Sequence, residues 1–204
     1  GELTAKWRAE NGVSDDSWVE KAIGECLIAI SDKYAPEKDE IEDIQYIGLE
    51  NIEVNGGIIS TGDVSSVKSI KTLFKNNDLL YGKLRPYLDK HDIAGFNGIC
   101  STDILVYRNK PQYEIKFFNY IFSQMRFIQY AVENSKGINL PRTSEKIISA
   151  YSQKIPPLPE QRKIVRILDA VLQKESRAKA TAEEVLGQIA LLKKAILARA
   201  FRGE

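Results

Sequence analysis

Hydrophobic positions in the last quarter of the chain recur in alternating steps of four and three. Ile164, Leu168 and Val171 open the series, and Ala178, Ala182, Val185, Ile189, Leu192 and Ile196 continue it. This spacing keeps one apolar seam turned toward a partner helix. Glu175 is the polar break inside the seam, and Arg199 falls on it near the end. Between Glu160 and Phe201 there is no proline and one glycine, Gly187, which lies off the seam. The pattern predicts a single helix over 160–204, about 60 Å long at about 1.5 Å per residue. The run Ile155-Pro156-Pro157-Leu158-Pro159 has too many fixed φ angles for a flexible linker, so 155–159 reads as a rigid hinge. Pro159 suits a first helical turn, where a missing N–H costs nothing. Glu160 complements the positive end of the helix dipole.

No turn signal lies between Glu160 and Leu186, so the helix cannot fold back early on its own seam. It needs a mate from a second chain or from another half of a longer one. The alternative is that the seam packs on the globular part. In a parallel homodimer Glu175 would face its own copy. An antiparallel pair centred near Ala178 and Ala182 avoids that and lets two backbones approach at small residues. The expectation is an antiparallel coiled coil.

Ahead of the hinge the pattern changes from helical to mixed. Trp18 to Ile30 reads as a short strand leading into a helix, and Ser31 to Asp43 as a charged loop. Tyr46–Leu49 and Ile52–Val54 read as strands, closed by the turn signal Asn55-Gly56-Gly57. Leu79–Leu84 and Ile104–Tyr107 are buried-strand candidates. Tyr113 to Val132 predicts one amphipathic helix with Phe118, Phe122, Met125 and Val132 on a face and Phe117, Tyr120 and Phe127 beside it. A short helix over 144–150 and a strand over 151–155 lead into the hinge. Residues 1–154 thus form a mixed α/β domain.

Composition narrows the function classes. No apolar run approaches the length of a membrane span, and no signal peptide precedes the first charges. The expectation is a soluble cytoplasmic protein. Cys26 and Cys100 are the only cysteines and His91 the only histidine, which argues against Cys/His zinc sites. A Cys–His or Ser–His catalytic pair would have to use His91 itself. The cysteines read as reduced core residues. The net charge of +1 hides a partition. Residues 1–50 carry thirteen acids against five bases, whereas 51–155 carry nine against fourteen. A basic middle beside an acidic front is what a one-sided polyanion-binding face looks like, and ordinary charge scatter gives the same figures.

Catalytic signatures are missing from the sequence. There is no GxGxxG, no GxxxxGK[ST], and no Asn-Pro-Pro-aromatic motif of DNA amino-methylating enzymes. Asp89, His91 and Asp92 sit close together and read as solvated surface; a site built on His91 is the catalytic alternative. Three segments carry nucleic-acid chemistry. Ser65, Lys68 and Lys71 suit phosphate contacts. Lys83, Arg85, Tyr87 and Lys90 surround a strand end, where Arg85 is the type of side chain that pairs with guanine or a phosphate. Lys136, Asn139, Arg142 and Thr143 lie in a polar loop between two helices, where Asn139 suits adenine. Each segment by itself also reads as a solvated basic loop.

The run Ile-Pro-Pro-Leu-Pro-Glu-Gln-Arg-Lys-Ile-Val over 155–165, followed by the long helix and Leu192-Lys193-Lys194-Ala195-Ile196-Leu197, resembles the specificity subunit of type I restriction-modification systems. Gly82-Lys83-Leu84-Arg85-Pro86-Tyr87-Leu88 and Ser101-Thr102-Asp103 are similar to that family's target recognition domain. The resemblance implies a non-catalytic reader of double-stranded DNA, with 1–154 as target recognition domain and 160–204 as spacer. It also implies docking of methyltransferase subunits and, through them, restriction subunits. No cofactor is implied for this chain; S-adenosylmethionine belongs to the methyltransferase partner. The Gly-Glu at 203–204 repeats the opening Gly-Glu, as in a tandem duplication, and the chain reads as a half-subunit that forms a homodimer through its helix. A dimeric coiled-coil protein-interaction module that does not read DNA is the alternative.

Overall fold

The computed structural model describes residues 2–36 and 44–203. The Gly1 and Glu204 ends of the proposed repeat, and the 37–43 part of the charged loop, lie outside the described residues. The chain divides into two compact units, 1–162 and 163–204. The first therefore includes the proline run and the first turn of the long helix.

In chain order the elements are α1 (Ala5–Asn11), β1 (Val19–Ala22), α2 (Ile23–Cys26), β2 (Leu27–Ile30), β3 (Lys33–Tyr34), β4 (Gln45–Ile47), β5 (Lys71–Phe74) and β6 (Leu79–Gly82). They continue with β7 (His91–Ile93), β8 (Gly98–Cys100), β9 (Ile104–Asn109), α3 (Ile115–Phe122), α4 (Met125–Glu133), α5 (Glu145–Ala150), β10 (Ser152–Ile155) and α6 (Leu158–Arg202). The first unit is mixed α/β, as its patterning predicts. An antiparallel sheet runs β2–β9–β6–β7, and a second runs β3–β5–β8–β4 with β4 parallel to β8. β1 pairs with β10 in a two-stranded ribbon.

Strands buried on both faces read as continuous apolar runs, which is why Leu79-Leu80-Tyr81 and Ile104–Tyr107 are legible. Ile47, Phe74, Leu80, Cys100 and Val106 form one core cluster. Arg108 on β9 forks onto the buried Asp78 at 2.7 and 2.6 Å, closing the start of β6. Burial pushes the Cys100 thiol up to about 12 and raises that of Cys26 as well.

Four expectations change. Trp18 to Ile30 is strand, one helical turn and strand, because α2 ends after Cys26 and Leu27 is extended. The loop expected from Ser31 contains β3, held by β5 through Lys33↔Thr72 and Tyr34↔Lys71. Ile52–Val54 is no strand: a 3-10 turn spans Leu49–Asn51, and Ile52 makes a single bridge to Ile58. The 113–132 helix is two helices, because Gln124 is extended (φ −73°, ψ 133°).

That break resets the helical register. Phe122 and Phe127 lie five apart and would diverge on one helix, but they stack at 4.4 Å with an interplanar angle of 6°. Tyr81, Tyr107 and Tyr151 meet this pair edge-on. The same reset turns Met125 outward, 68% exposed, and exposes Val132.

α6 begins at Leu158, with Pro159 in its first turn. Glu160 lies in that first turn, as expected of a partner for the helix dipole, and is fully buried. The carboxylate accepts from Arg8 Nη1 (2.8 Å), Thr4 Oγ1 (2.5 Å) and Trp18 Nε1 (3.1 Å). Gln161 donates to the Pro156 carbonyl (2.8 Å) and accepts from the Glu114 backbone N–H (2.9 Å). The proline run is thereby pinned within the first unit.

The second unit is helix as far as Arg202. Ile164 is buried and Leu168 half-buried, whereas every residue over 170–202 is exposed, seam residues included. No described helix is long and apolar enough to cross a membrane.

Candidate nucleic-acid interface

The connection from β6 to β7 carries Lys83, Arg85, Tyr87 and Lys90. Gly82 N–H donates to the Lys90 carbonyl at 2.8 Å, which closes the hairpin. A Cβ at Gly82 would sit 2.8 Å from Leu49 Cδ2 and 3.2 Å from the Lys90 carbonyl oxygen, so a side chain here would push on both. Between lies a 3-10 turn, Pro86–Leu88, flanked by two non-glycine residues in the left-handed region, Arg85 (φ 52°) and Asp89 (φ 49°). Arg85 and Tyr87 are exposed at its surface.

The 135–144 loop folds onto this turn. Leu84 and Arg142 form a bridge, Arg85 N–H donates to the Pro141 carbonyl (2.7 Å), and Thr143 N–H donates to the Lys83 carbonyl (3.0 Å). Two segments about fifty positions apart in the sequence thus lie side by side, carrying Lys83, Arg85, Lys136 and Arg142.

Asp103 sets the local electrostatics. Its carbonyl accepts from Lys83 N–H (2.7 Å) and its carboxylate lies 3.0 Å from Arg142 Nη2. Partial burial lowers the Lys83 ammonium below its usual 10.5, with Asp103 opposing and Arg142 reinforcing that shift. The Arg142–Asp103 pair is half-exposed, so the guanidinium can exchange this partner for a phosphate at little cost. In the sequence Asp103 is visible only as part of a motif; its role as counter-charge needs the fold.

The third segment joins at one end. Lys71 opens β5, which pairs with β8, and Ser101–Asp103 follow β8. Its ammonium lies 5.5 Å from the Tyr46 ring centroid and 2.8 Å from Ser69 Oγ. Burial, seconded by Glu50, raises the Tyr46 phenol, and a hydrogen bond with Ser101 opposes this. Ser65 bonds locally to Asp63 (2.7 Å), and Lys68 is exposed beyond that turn. Two candidates face elsewhere: Lys90 Nζ donates to the Leu49 carbonyl (2.7 Å), and Thr143 is only 3% exposed. Both support the loops from within. Asn139 is exposed on the 136–142 hairpin.

The Asp89-His91-Asp92 run is not solvated surface. His91 is buried, with Nδ1 2.8 Å from Asn119 Oδ1 and Nε2 3.1 Å from Asp89 Oδ1. Asp92 accepts from the Ile58 backbone N–H at 2.9 Å. The cluster anchors the end of the Arg85 loop to α3. Among the described residues no group of His, Cys, Asp and Glu is arranged to hold a metal ion.

The chain is similar to several known proteins. A curated relative, the type I restriction enzyme EcoDI specificity subunit of Escherichia coli, is 27% identical over 226 residues, covering 100% of this chain and 50% of that protein. A chain from a solved type I R-M system, in a study of its complex assembly and conformational transition, superposes with a TM-score of 0.77 at 21% identity. The match covers 91% of this chain and 50% of the other. The HsdS subunit from Thermoanaerobacter tengcongensis superposes at 0.72 and 21% identity, covering 87% and 48%. At such identities the structures show a shared fold, and the chain spans about half the length of these relatives. The family model described as the type I restriction modification DNA specificity domain matches residues 15–186, and the chain belongs to that family.

Proposed function

We propose that this chain is a non-catalytic, sequence-specific DNA reader that directs methyltransferase and restriction subunits to a bipartite double-stranded target. The observation that carries the reading is the junction of the 83–90 and 136–142 loops, which sets the segments carrying Lys83, Arg85, Lys136 and Arg142, with exposed Tyr87 and Asn139, side by side. Lysines and arginines of that junction neutralise phosphates, and Arg85 and Asn139 reach base edges. Ser65, Lys68 and Lys71 extend the phosphate track. Residues 1–154 constitute the recognition domain and 155–159 the stiff connection to the helix. S-adenosylmethionine acts on the methyltransferase partner, not here. Such a reader works in the cytoplasm, where the DNA is.

The helix over 160–204 pairs, antiparallel, with a second copy or with another half of a longer subunit. Leu172 and Leu186 lie beside the seam and widen it, while exposed Leu191, Leu197 and Phe201 lie outside it and offer surface for methyltransferase docking. Two identical readers related by a two-fold axis would recognise a palindromic split site.

The test is DNA binding by the chain assembled with its methyltransferase subunits, measured across salt concentrations. Affinity falls linearly on logarithmic axes with a slope of about 0.9 per neutralised phosphate. Lys136→Ala reduces that slope by about one phosphate, and Arg85→Ala reduces discrimination between target and random duplex. Binding without a salt slope, or unchanged in both variants, would remove this reading in favour of a protein-interaction module.

A further inference from the structure

At the tip of the 136–142 hairpin Ile138 is 99% exposed, and Leu140 beside it is exposed too. This is not a loose loop. Lys136 and Arg142 exchange both backbone hydrogen bonds, at 3.0 and 2.8 Å, so one antiparallel bridge closes the base of the hairpin. Gly137 turns it at φ 96°, where a Cβ would lie 3.0 Å from the Leu140 carbonyl. The Arg85 N–H bond to Pro141 holds the hairpin against the basic turn. A large aliphatic side chain thus stands in water at the tip, with Lys136 and Arg142 at the hairpin's base and Arg85 beside it.

The DNA major groove admits a two-stranded ribbon, and its floor offers one apolar base-edge group, the thymine C5-methyl. We infer that Ile138 is a specificity-determining residue that packs on a thymine C5-methyl in the major groove. This rests on the DNA reading above. Asn139, next in sequence, is the residue type that pairs with adenine N6 and N7 in the same groove, so the tip favours a site containing A·T pairs. Leu140 supplies a second apolar contact at its edge. Because the Ile138 side chain touches water and little else, its removal leaves the fold as it is.

The experiment uses the full chain assembled with its methyltransferase subunits and a randomised duplex library, with the bound fraction sequenced. The wild-type complex enriches a motif containing thymine. Resynthesis of that duplex with deoxyuridine at one thymidine position at a time weakens binding about fourfold at the position whose methyl Ile138 contacts. Ile138→Ala, with an unchanged melting temperature, binds the thymidine and deoxyuridine forms alike there and enriches a motif relaxed at that position. An enriched motif without thymine, or a deoxyuridine penalty that persists in Ile138→Ala, overturns the inference and leaves the DNA reading standing. A tip that instead wedges into a base step is indifferent to the methyl and gives no deoxyuridine penalty, which overturns the inference in the same way. Failure to enrich any sequence overturns the DNA reading itself.

Discussion

Arg85 holds a left-handed backbone, φ 52° and ψ 65°, immediately before a proline. For an L-residue with a Cβ this conformation costs about 1–2 kcal/mol, and such strain persists only where the surroundings impose it. Here the bond to the Pro141 carbonyl and the 3-10 turn that follows impose it. Stability would favour glycine at this position, and the arginine serves the proposed DNA contact. Arg85→Gly is therefore more stable than Arg85→Ala by about 1 kcal/mol in urea unfolding, because only glycine relieves the strain. Both variants lose target discrimination equally; equal stabilities would mean that the position is unstrained. Individual side chains are the least legible level of the sequence. Arg85 and Arg142 can be singled out by type, but burial cannot be: Thr143 and His91 look polar and solvated in sequence and are inside the fold. A polar residue's place depends on which distant carbonyl or carboxylate is brought to it, and local patterning carries no record of that.

Elements with one strong period are legible, and those ended by an isolated extended residue are not. The interior runs of β6 and β9, and the helices α5 and α6, follow from apolar patterning and from Ser144, which caps α5. The split between α3 and α4 has no glycine or proline to announce it; the gain is the stacked Phe122–Phe127 pair, a tertiary contact that outweighs a few helical hydrogen bonds. The start of α6 shows the same limit. Its proline and glutamate are recognisable, but the glutamate's partners lie about 150 positions away, in α1, just before it at Thr4, and just before β1 at Trp18. Glu160 is held at 0% exposure, with one carboxylate oxygen accepting from Arg8 and Thr4 and the other from Trp18, so an amide here leaves one set of buried donors without its acceptor. Glu160→Gln costs about 1.5–3 kcal/mol, the range for hydrogen bonds to a charged group. The measurement is urea unfolding followed by Trp7 and Trp18 fluorescence. A loss below about 1 kcal/mol, the range of an exposed pair, would show that water reaches the cluster.

At the scale of the whole chain, the mixed α/β unit is followed by a helix whose apolar seam is exposed from Val171 onward. An antiparallel mate centred between Ala178 and Ala182 sets Ala178 against Ala182, Val171 against Ile189, and Leu168 against Leu192. Each layer then joins the two kinds of seam position, and Glu175 faces Val185 in place of its own copy. Ile189→Asp with Leu192→Asp places two charges in the zone that is exposed in a single chain, sparing the buried Ile164. Light scattering across micromolar concentrations then reports monomer, where the unaltered chain reports dimer. Near-ultraviolet circular dichroism stays unchanged, because both tryptophans and all nine tyrosines precede residue 163. A chain that is monomeric without substitution would overturn homodimer pairing and leave the other half of a longer subunit as the mate. Orientation follows from oxidative cross-linking. Ala178→Cys mixed with Ala182→Cys cross-links as a heterodimer in an antiparallel pair, whereas Ala178→Cys cross-links to itself in a parallel one. Background is low, because burial holds Cys100 at about 12 and raises Cys26, leaving both protonated near neutral pH. Self-cross-linking of Ala178→Cys would place Glu175 against its own copy and overturn the antiparallel arrangement.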